Sequence, residues 1–270
     1  MKDIRTAPFM IEFTKMTSNM YRLGYNEGSG GNISYLLYED ELKDYLDLNN
    51  VIREIPFDFK ANELVGKYFL VTATGSYFKN IENDPEYSLG ILRIKDDACT
   101  AELLWGFKSG NKFTSEFPTH LMTHIQRLKI DPKHRVVLHC HPLATVAMTY
   151  IHSLIDRDFT RTLWKMNNEC IVVFPEGVGV LPWMLCGTTK IGEATAEKMK
   201  HYRIVLWGAH GIYGVGSSLD SAFGLVETVE KAAQIYMMIG DRPIINPLKD
   251  DDLKQIVDAL DLDYRKEFLD

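Results

Sequence analysis

Arg135-Val136-Val137-Leu138-His139-Cys140-His141 is the stretch from which this sequence opens. A continuous apolar run that ends in two imidazoles one residue apart reads as a buried strand reaching a site at its end. Side chains alternate along a strand, so His139 and His141 project from one face and Cys140 from the other, into packing. Two neutral imidazoles held that way are a bidentate grip on a transition metal, with zinc the best match. Zinc takes more than two ligands, so the rest of the chain must supply at least one more.

Strand and helix signals alternate outward from this point. Phe9, Phe13, Met16, Met20 and Leu23 recur at helical spacing before Gly24, which predicts an amphipathic helix with a glycine stop. Strands are expected over Ile33 to Tyr38, Lys67 to Thr72, Leu89 to Ile94, Ala101 to Trp105, Cys170 to Phe174 and Arg203 to Trp207. Helices are expected from Pro118 to about Leu128, Leu143 to Ser153, Thr189 to Lys200 and Leu219 to near Gly240. One charged helix is expected over Asp250 to Leu269. The polar segment Asp40 to Asn62 lacks sustained periodicity and reads as a long surface excursion. Hairpin-length turns join the middle strands, so the fold class is α/β: a single three-layer α/β/α domain over residues 1–270 with a mixed, largely antiparallel sheet.

The bulk numbers restrict function. A net charge of −7 and no Lys/Arg run longer than two argue against nucleic acid as the partner. No stretch approaches the apolar length of a membrane span. Four scattered cysteines without a Cys-x-x-Cys pair fit a reducing compartment, and the acidic N-terminus does not resemble a secretory signal. A cytoplasmic protein acting on a small molecule is the expectation.

His120, His124, His134, His152, His201 and His210 compete to complete the metal site. His210 lies in Gly208-Ala209-His210-Gly211, directly after an apolar strand. Flanking glycines allow close approach of backbone or substrate, which suits an open catalytic metal. The rival is His120 with His124, four apart on one helical face but without the Glu of a His-Glu-x-x-His site; such a helical pair otherwise reads as surface residues. Among carboxylates, Glu116 precedes a helix and reads either as a base near the metal or as a charge against the helix dipole. Glu169 reads either as a site residue or as a solvated strand-edge charge, and Glu176 as an exposed turn. Gly28-Ser29-Gly30-Gly31-Asn32, Thr74-Gly75-Ser76 and Ser115 offer hydroxyls and amides to an anion. The first joins a helix to a strand, opposite in order to a nucleotide-binding loop.

Gly30-Gly31-Asn32-Ile33-Ser34, Thr74-Gly75, Thr114-Ser115-Glu116, His139-Cys140-His141 and Gly208-Ala209-His210-Gly211 together resemble the zinc-dependent class II sugar-phosphate aldolases. These belong to the aldolase/epimerase/adducin-head superfamily. Leu104-Trp105-Gly106, Val172 through Met184 and Phe223-Gly224-Leu225 resemble the rhamnulose-phosphate branch, as does the long excursion. The resemblance runs from the first helix to about residue 240. It implies one zinc per subunit on His139, His141 and His210, with Glu116 as catalytic acid/base. It implies phosphate or substrate contacts from Ser29, Gly31, Asn32, Thr74, Gly75 and Ser115, and a supporting role for Glu169. It also implies a homotetramer that cleaves L-rhamnulose 1-phosphate reversibly to dihydroxyacetone phosphate and L-lactaldehyde. Ser29 stands where the family usually has asparagine and Thr74 where it has serine; both keep a hydroxyl. The alternatives are a fuculose-phosphate aldolase, a sugar-phosphate epimerase or dehydratase, a non-catalytic adducin-head-like module, and a metal-dependent hydrolase.

Overall fold

The computed structural model describes residues 1–108 and 110–269. In chain order these form α1 (Pro8–Arg22), β1 (Asn32–Leu37), α2 (Glu39–Leu42), β2 (Arg53–Pro56), β3 (Tyr68–Thr72), α3 (Phe78–Ile81), α4 (Pro85–Ser88), β4 (Leu89–Ile94) and β5 (Thr100–Gly106). There follow α5 (Phe117–Ile130), β6 (Val136–Cys140), α6 (Leu143–Ile151), α7 (Asp156–Met166), α8 (Glu169–Val173), β7 (Gly179–Leu181) and α9 (Thr189–Met199). The chain continues with β8 (Ile204–Trp207), β9 (Gly211–Gly216), α10 (Leu219–Ile239) and α11 (Asp250–Ala259).

The nine strands make one sheet in the order β2-β5-β4-β3-β1-β6-β9-β8-β7. Neighbours are antiparallel except β7 and β8. The sheet is therefore mixed and largely antiparallel, as the hairpin-length turns require.

Helices cover both faces. Alternation sends Ile33, Tyr35, Leu37, Val136, Leu138 and Cys140 into one core with α1, α6, α7, α8 and α10. Leu36, Val71 and Leu92 pack with Phe117, Leu121 and Ile125 of α5 on the other face. Farther along that second face, Val137, Val205 and Tyr213 meet Ile191 and Met199 of α9. Each large residue buried this way stabilises the fold by about 1.5–3 kcal/mol, which explains why both layers stay attached to a sheet that is apolar on both sides.

Four expectations change. The Asp40 to Asn62 excursion contains α2 and the edge strand β2, which pairs with β5, and it buries Leu42 and Ile55. Cys170 to Phe174 is not a strand: residues 169–173 are helical, with Cys170 and Ile171 buried beneath them. An apolar run this short fits a buried strand and a buried helical turn equally well. The tail helix stops at Ala259 because Asp261 enters a left-handed backbone conformation at φ 50°. Beyond it, Arg265 donates its backbone N–H to the Pro175 carbonyl and stacks on the Tyr202 ring. Finally, Glu176 is half-buried in an ion pair with Arg203 at 2.6 Å.

Strand β9 had no clear sequence signature because three of its six residues are glycine. A Cβ on Gly214 would lie 2.8 Å from the Ala222 carbonyl oxygen, and one on Gly216 would lie 2.5 Å from the Ala222 nitrogen. Helix α10 sits so close to β9 that only glycine fits facing it.

Candidate active site

Neighbouring strands place three side chains in one row. Asn32 of β1 pairs with His139 of β6, and His139 pairs with Tyr213 of β9. All three point to the α5 face, where Glu116 stands immediately before the first turn of α5. Glu116 is only 6% exposed. It sits at the N-terminus of α5 but makes no capping hydrogen bond to its own helix. Its Oε2 instead accepts from Asn32 Nδ2 at 3.0 Å and from the Tyr213 hydroxyl at 2.7 Å.

His141 lies just past the end of β6, and His210 sits in the short turn between β8 and β9. The Nε2 atoms of His139 and His210 are 3.3 Å apart, and those of His139 and His141 are 3.2 Å apart. Among the described residues this is the one cluster of three His, Cys, Asp or Glu whose ligand atoms lie within 4.8 Å of one another. Two nitrogens about 2.0–2.1 Å from a tetrahedral centre are themselves about 3.3 Å apart, so the donor set fits a zinc-like ion. His139 is fully buried; His141 and His210 keep 17% and 20% of their side chains exposed, leaving the centre open on that side.

The outer contacts of the rings aim the Nε2 lone pairs inward. His139 Nδ1 donates to the Ile212 carbonyl at 3.0 Å, and His141 Nδ1 lies 2.8 Å from Glu27 Oε1. Such partners fix ring orientation and tautomer. Burial, then the neighbouring His141 and His210, push the His139 pKa well below its ordinary value. Burial foremost lowers that of His210 as well. Both are held neutral, the state that ligates metal. Tyr213 stacks on His139 with centroids 4.4 Å apart, and Trp207 lies 5.3 Å away.

The glycines beside His210 are there for close approach. A Cβ on Gly211 would lie 2.4 Å from the Cys140 carbonyl oxygen and 2.8 Å from His141 Cδ2. Ala209 holds φ 57°, and its N–H donates to Thr149 Oγ1 at 2.9 Å. Glu116 Oε2 is 3.6 Å from His139 Nε2, and Oε1 is 4.0 Å from His210 Nε2. The carboxylate therefore stands beside the metal position.

The hydroxyl- and amide-rich turns meet at the same end of the sheet. The Thr74 N–H donates to the Lys112 carbonyl, and Ala73 bridges Phe113. These contacts hold the Thr74-Gly75 turn against the segment that leads into Ser115 and Glu116. Gly30 abuts the His141 ring, with room for no Cβ (2.8 Å). Gly31 takes a φ of 78°, and Ser29 and Ser115 are exposed. The Asn32 side chain, expected among the phosphate contacts, is instead occupied by Glu116 and His120. Glu169 starts α8 and lines a cavity of about 370 Å³ with Tyr25, Glu227 and Lys231. Neither the three histidines nor Glu116 line that cavity.

The rival pair, His120 and His124, is no surface feature. Both are fully buried and lie either side of Ser34 Oγ, at 2.8 and 2.9 Å. Sequence reasoning missed Tyr213, Trp207 and Glu27. Tyr213 was readable from alternation after Gly211 once β9 is paired with β6. The carboxylate of Glu27 gave no signal beyond its place at the head of the Gly-rich turn.

A family model described as "Class II Aldolase and Adducin N-terminal domain" matches residues 11–237. The rhamnulose-1-phosphate aldolase of Listeria monocytogenes serotype 4a is 50% identical over 269 residues, covering 99% of this chain and 98% of its own length. That of Enterococcus faecalis is 47% identical, covering 99% and 96%. A solved sugar-phosphate aldolase from Thermotoga maritima superposes with a TM-score of 0.72 at 28% identity, over 86% of this chain and 96% of its own. Motifs, sheet and site geometry agree with these likenesses: the chain belongs to the class II aldolase and adducin N-terminal domain family.

Proposed function

We propose that this chain, acting as one domain, cleaves L-rhamnulose 1-phosphate reversibly to dihydroxyacetone phosphate and L-lactaldehyde. The observation that carries the reading is Glu116 beside three converging imidazoles at an open face, with His139 and His210 held neutral by burial. The name and near-complete coverage of the Listeria relative select the sugar phosphate. Cleavage breaks the C3–C4 bond. The C4 hydroxyl loses its proton as the aldehyde carbonyl forms, and the bonding electron pair stays on the three-carbon fragment until C3 gains a proton. Zinc held by His139, His141 and His210 would supply Lewis-acid stabilisation of that negative charge. Glu116 is the group placed to handle the proton at C3, with Asn32 and Tyr213 fixing its orientation. No lysine is needed to form an imine.

Ser29, Gly31, Thr74, Gly75 and Ser115 are assigned to the phosphate, from turns gathered at the same sheet end. Asn32 contributes through its hold on Glu116. Glu169 is assigned a supporting role in a homotetramer, where a neighbouring subunit brings surfaces together that one chain keeps apart. Among the described residues no helix is long and apolar enough to cross a membrane, and a cytoplasmic location suits a sugar-phosphate substrate.

The test incubates zinc-loaded protein separately with L-rhamnulose 1-phosphate and L-fuculose 1-phosphate and assays dihydroxyacetone phosphate. Release from the first at the higher kcat/KM is expected. No release from either refutes the aldolase reading, and preference for the second refutes the substrate.

A further inference from the structure

A file of buried polar side chains runs from Glu116 into the core between β1 and α5. Asn32 Nδ2 donates to Glu116 Oε2 at 3.0 Å, and Asn32 Oδ1 meets His120 Nε2. His120 Nδ1 meets Ser34 Oγ at 2.8 Å, and Ser34 Oγ meets His124 Nε2 at 2.9 Å. His124 Nδ1 has no hydrogen-bond partner among the described residues, and the Phe69 ring packs 5.0 Å from its own. Burial drives the pKa values of both His120 and His124 down to about 3, so each ring is neutral and carries one N–H.

That restriction gives the file a direction. A carboxylate only accepts, so Asn32 must present its NH2 to Glu116 and its oxygen to His120. His120 then donates from Nε2 and accepts at Nδ1 from the Ser34 hydroxyl, and Ser34 accepts from His124 Nε2–H. Every donor points toward Glu116, and the spare atom at the far end is a lone pair. In the opposite sense an amide oxygen would stand 3.0 Å from the carboxylate, and an N–H would be orphaned in the core. Both are costly in a low-dielectric interior. Reversal needs each imidazole to exchange its proton between ring nitrogens, so the sense does not change within a turnover.

We infer that His120, backed by Ser34 and His124, is a positioning residue that holds Asn32 in one amide orientation and so reserves Glu116 Oε2 as an acceptor, leaving Oε1 as the oxygen that carries the catalytic proton. Oε2 is already filled by Asn32 and Tyr213. Oε1 faces His210 across 4.0 Å and accepts no hydrogen bond among the described residues, so it is the oxygen left for the substrate's proton. The inference deepens the aldolase reading and rests on it.

Two experiments test it together. Nitrogen-15 NMR of the metal-free protein should show His120 and His124 as neutral Nε2–H tautomers; an Nδ1–H tautomer at His120 overturns the file's direction. Kinetics then compare two variants. In His120→Gln the amide NH2 reaches about as far as Nε2 and can still donate to Asn32. In His120→Asn the shorter amide reaches only as far as Nδ1. His120→Asn should lose about 10–100-fold in kcat, with KM and zinc content within about twofold of the parent. His120→Gln should recover most of that loss. Equal activity in parent and both variants, or a KM change as large as the kcat change, refutes the positioning role. Should neither variant fold, the tautomer measurement on the unsubstituted protein decides alone. A parent that releases no dihydroxyacetone phosphate sinks the aldolase reading instead, and the NMR result stays independent of it.

Discussion

Gly211→Ala tests whether the metal centre depends on how closely β9 approaches β6. The added Cβ would stand 2.4 Å from the Cys140 carbonyl oxygen, 2.8 Å from His141 Cδ2 and 3.0 Å from His139 Cε1. An ordinary carbon–oxygen contact is about 3.3 Å, so the strands must part by about 0.9 Å or the two rings must turn. None of the three is the loose end of a flexible side chain, because one is backbone and the others are the imidazoles assigned to the metal. Metal–ligand distances tolerate only about 0.2 Å. Overpacking of this kind costs about 1–3 kcal/mol, and each 1.4 kcal/mol is tenfold in affinity. A zinc affinity loss of about 10–100-fold is expected. Competition against a chromogenic chelator measures the affinity, and thermal unfolding of the metal-free protein separates it from general instability. Gly224→Ala is the control: its Cβ meets nothing within 4 Å and lies inside α10, so stability should rise by up to about 1 kcal/mol. Unchanged zinc affinity in Gly211→Ala would refute the argument from close approach.

Glu116→Gln should retain zinc and the contact with Asn32 yet lose turnover by roughly 10²–10⁴-fold, read by steady-state kinetics beside a metal count. His210→Ala should lower zinc occupancy at a fixed chelator concentration; full occupancy would exclude it as a ligand. Thr149→Val removes the acceptor that holds the Ala209 N–H and should weaken zinc binding while leaving the secondary structure, measured by circular dichroism, unaltered. Acid should destabilise the metal-free protein. The folded pKa values of His120 and His124 lie near 3, below the ordinary 6.5, so the unfolded chain binds more protons between those limits. Stability is full above about pH 6.5 and falls as pH drops toward 3, with each ring costing about 1.4 kcal/mol at pH 5.5. Urea unfolding at pH 7.5 and 5.5 measures the difference, and a flat profile contradicts it.

The parts of the site that a sequence displays are those set by local geometry. Alternation alone put His139 and His141 on one face and Cys140 in the opposite core, and the glycines around His210 announced the tight approach seen between β9 and β6. What stayed hidden depends on pairing between distant segments. Tyr213 and Asn32 become site residues only because β1, β6 and β9 lie side by side in one register. His120 and His124 looked like a surface pair because helical spacing says nothing about which side faces a sheet. Residues 169–173 were misread because five residues are too few for periodicity to separate a helix from a strand. The fold class was readable for the opposite reason: many short strands joined by short turns leave few alternatives to an antiparallel sheet between helices.

The single row formed by Asn32, His139 and Tyr213 ties the chemistry to the alignment of three strands. If β6 slipped by one residue against its neighbours, every side chain would exchange faces. His139 would turn into the core now filled by Leu138 and Cys140, and a thiol or an isobutyl group, according to the direction of the slip, would take its place beside Glu116. No partly assembled centre lies between these alignments, so the ability to take up zinc is an all-or-none report on strand alignment. In refolding, the fraction of chains that bind metal stoichiometrically should count those with β6 correctly set, even among molecules whose helix content is indistinguishable.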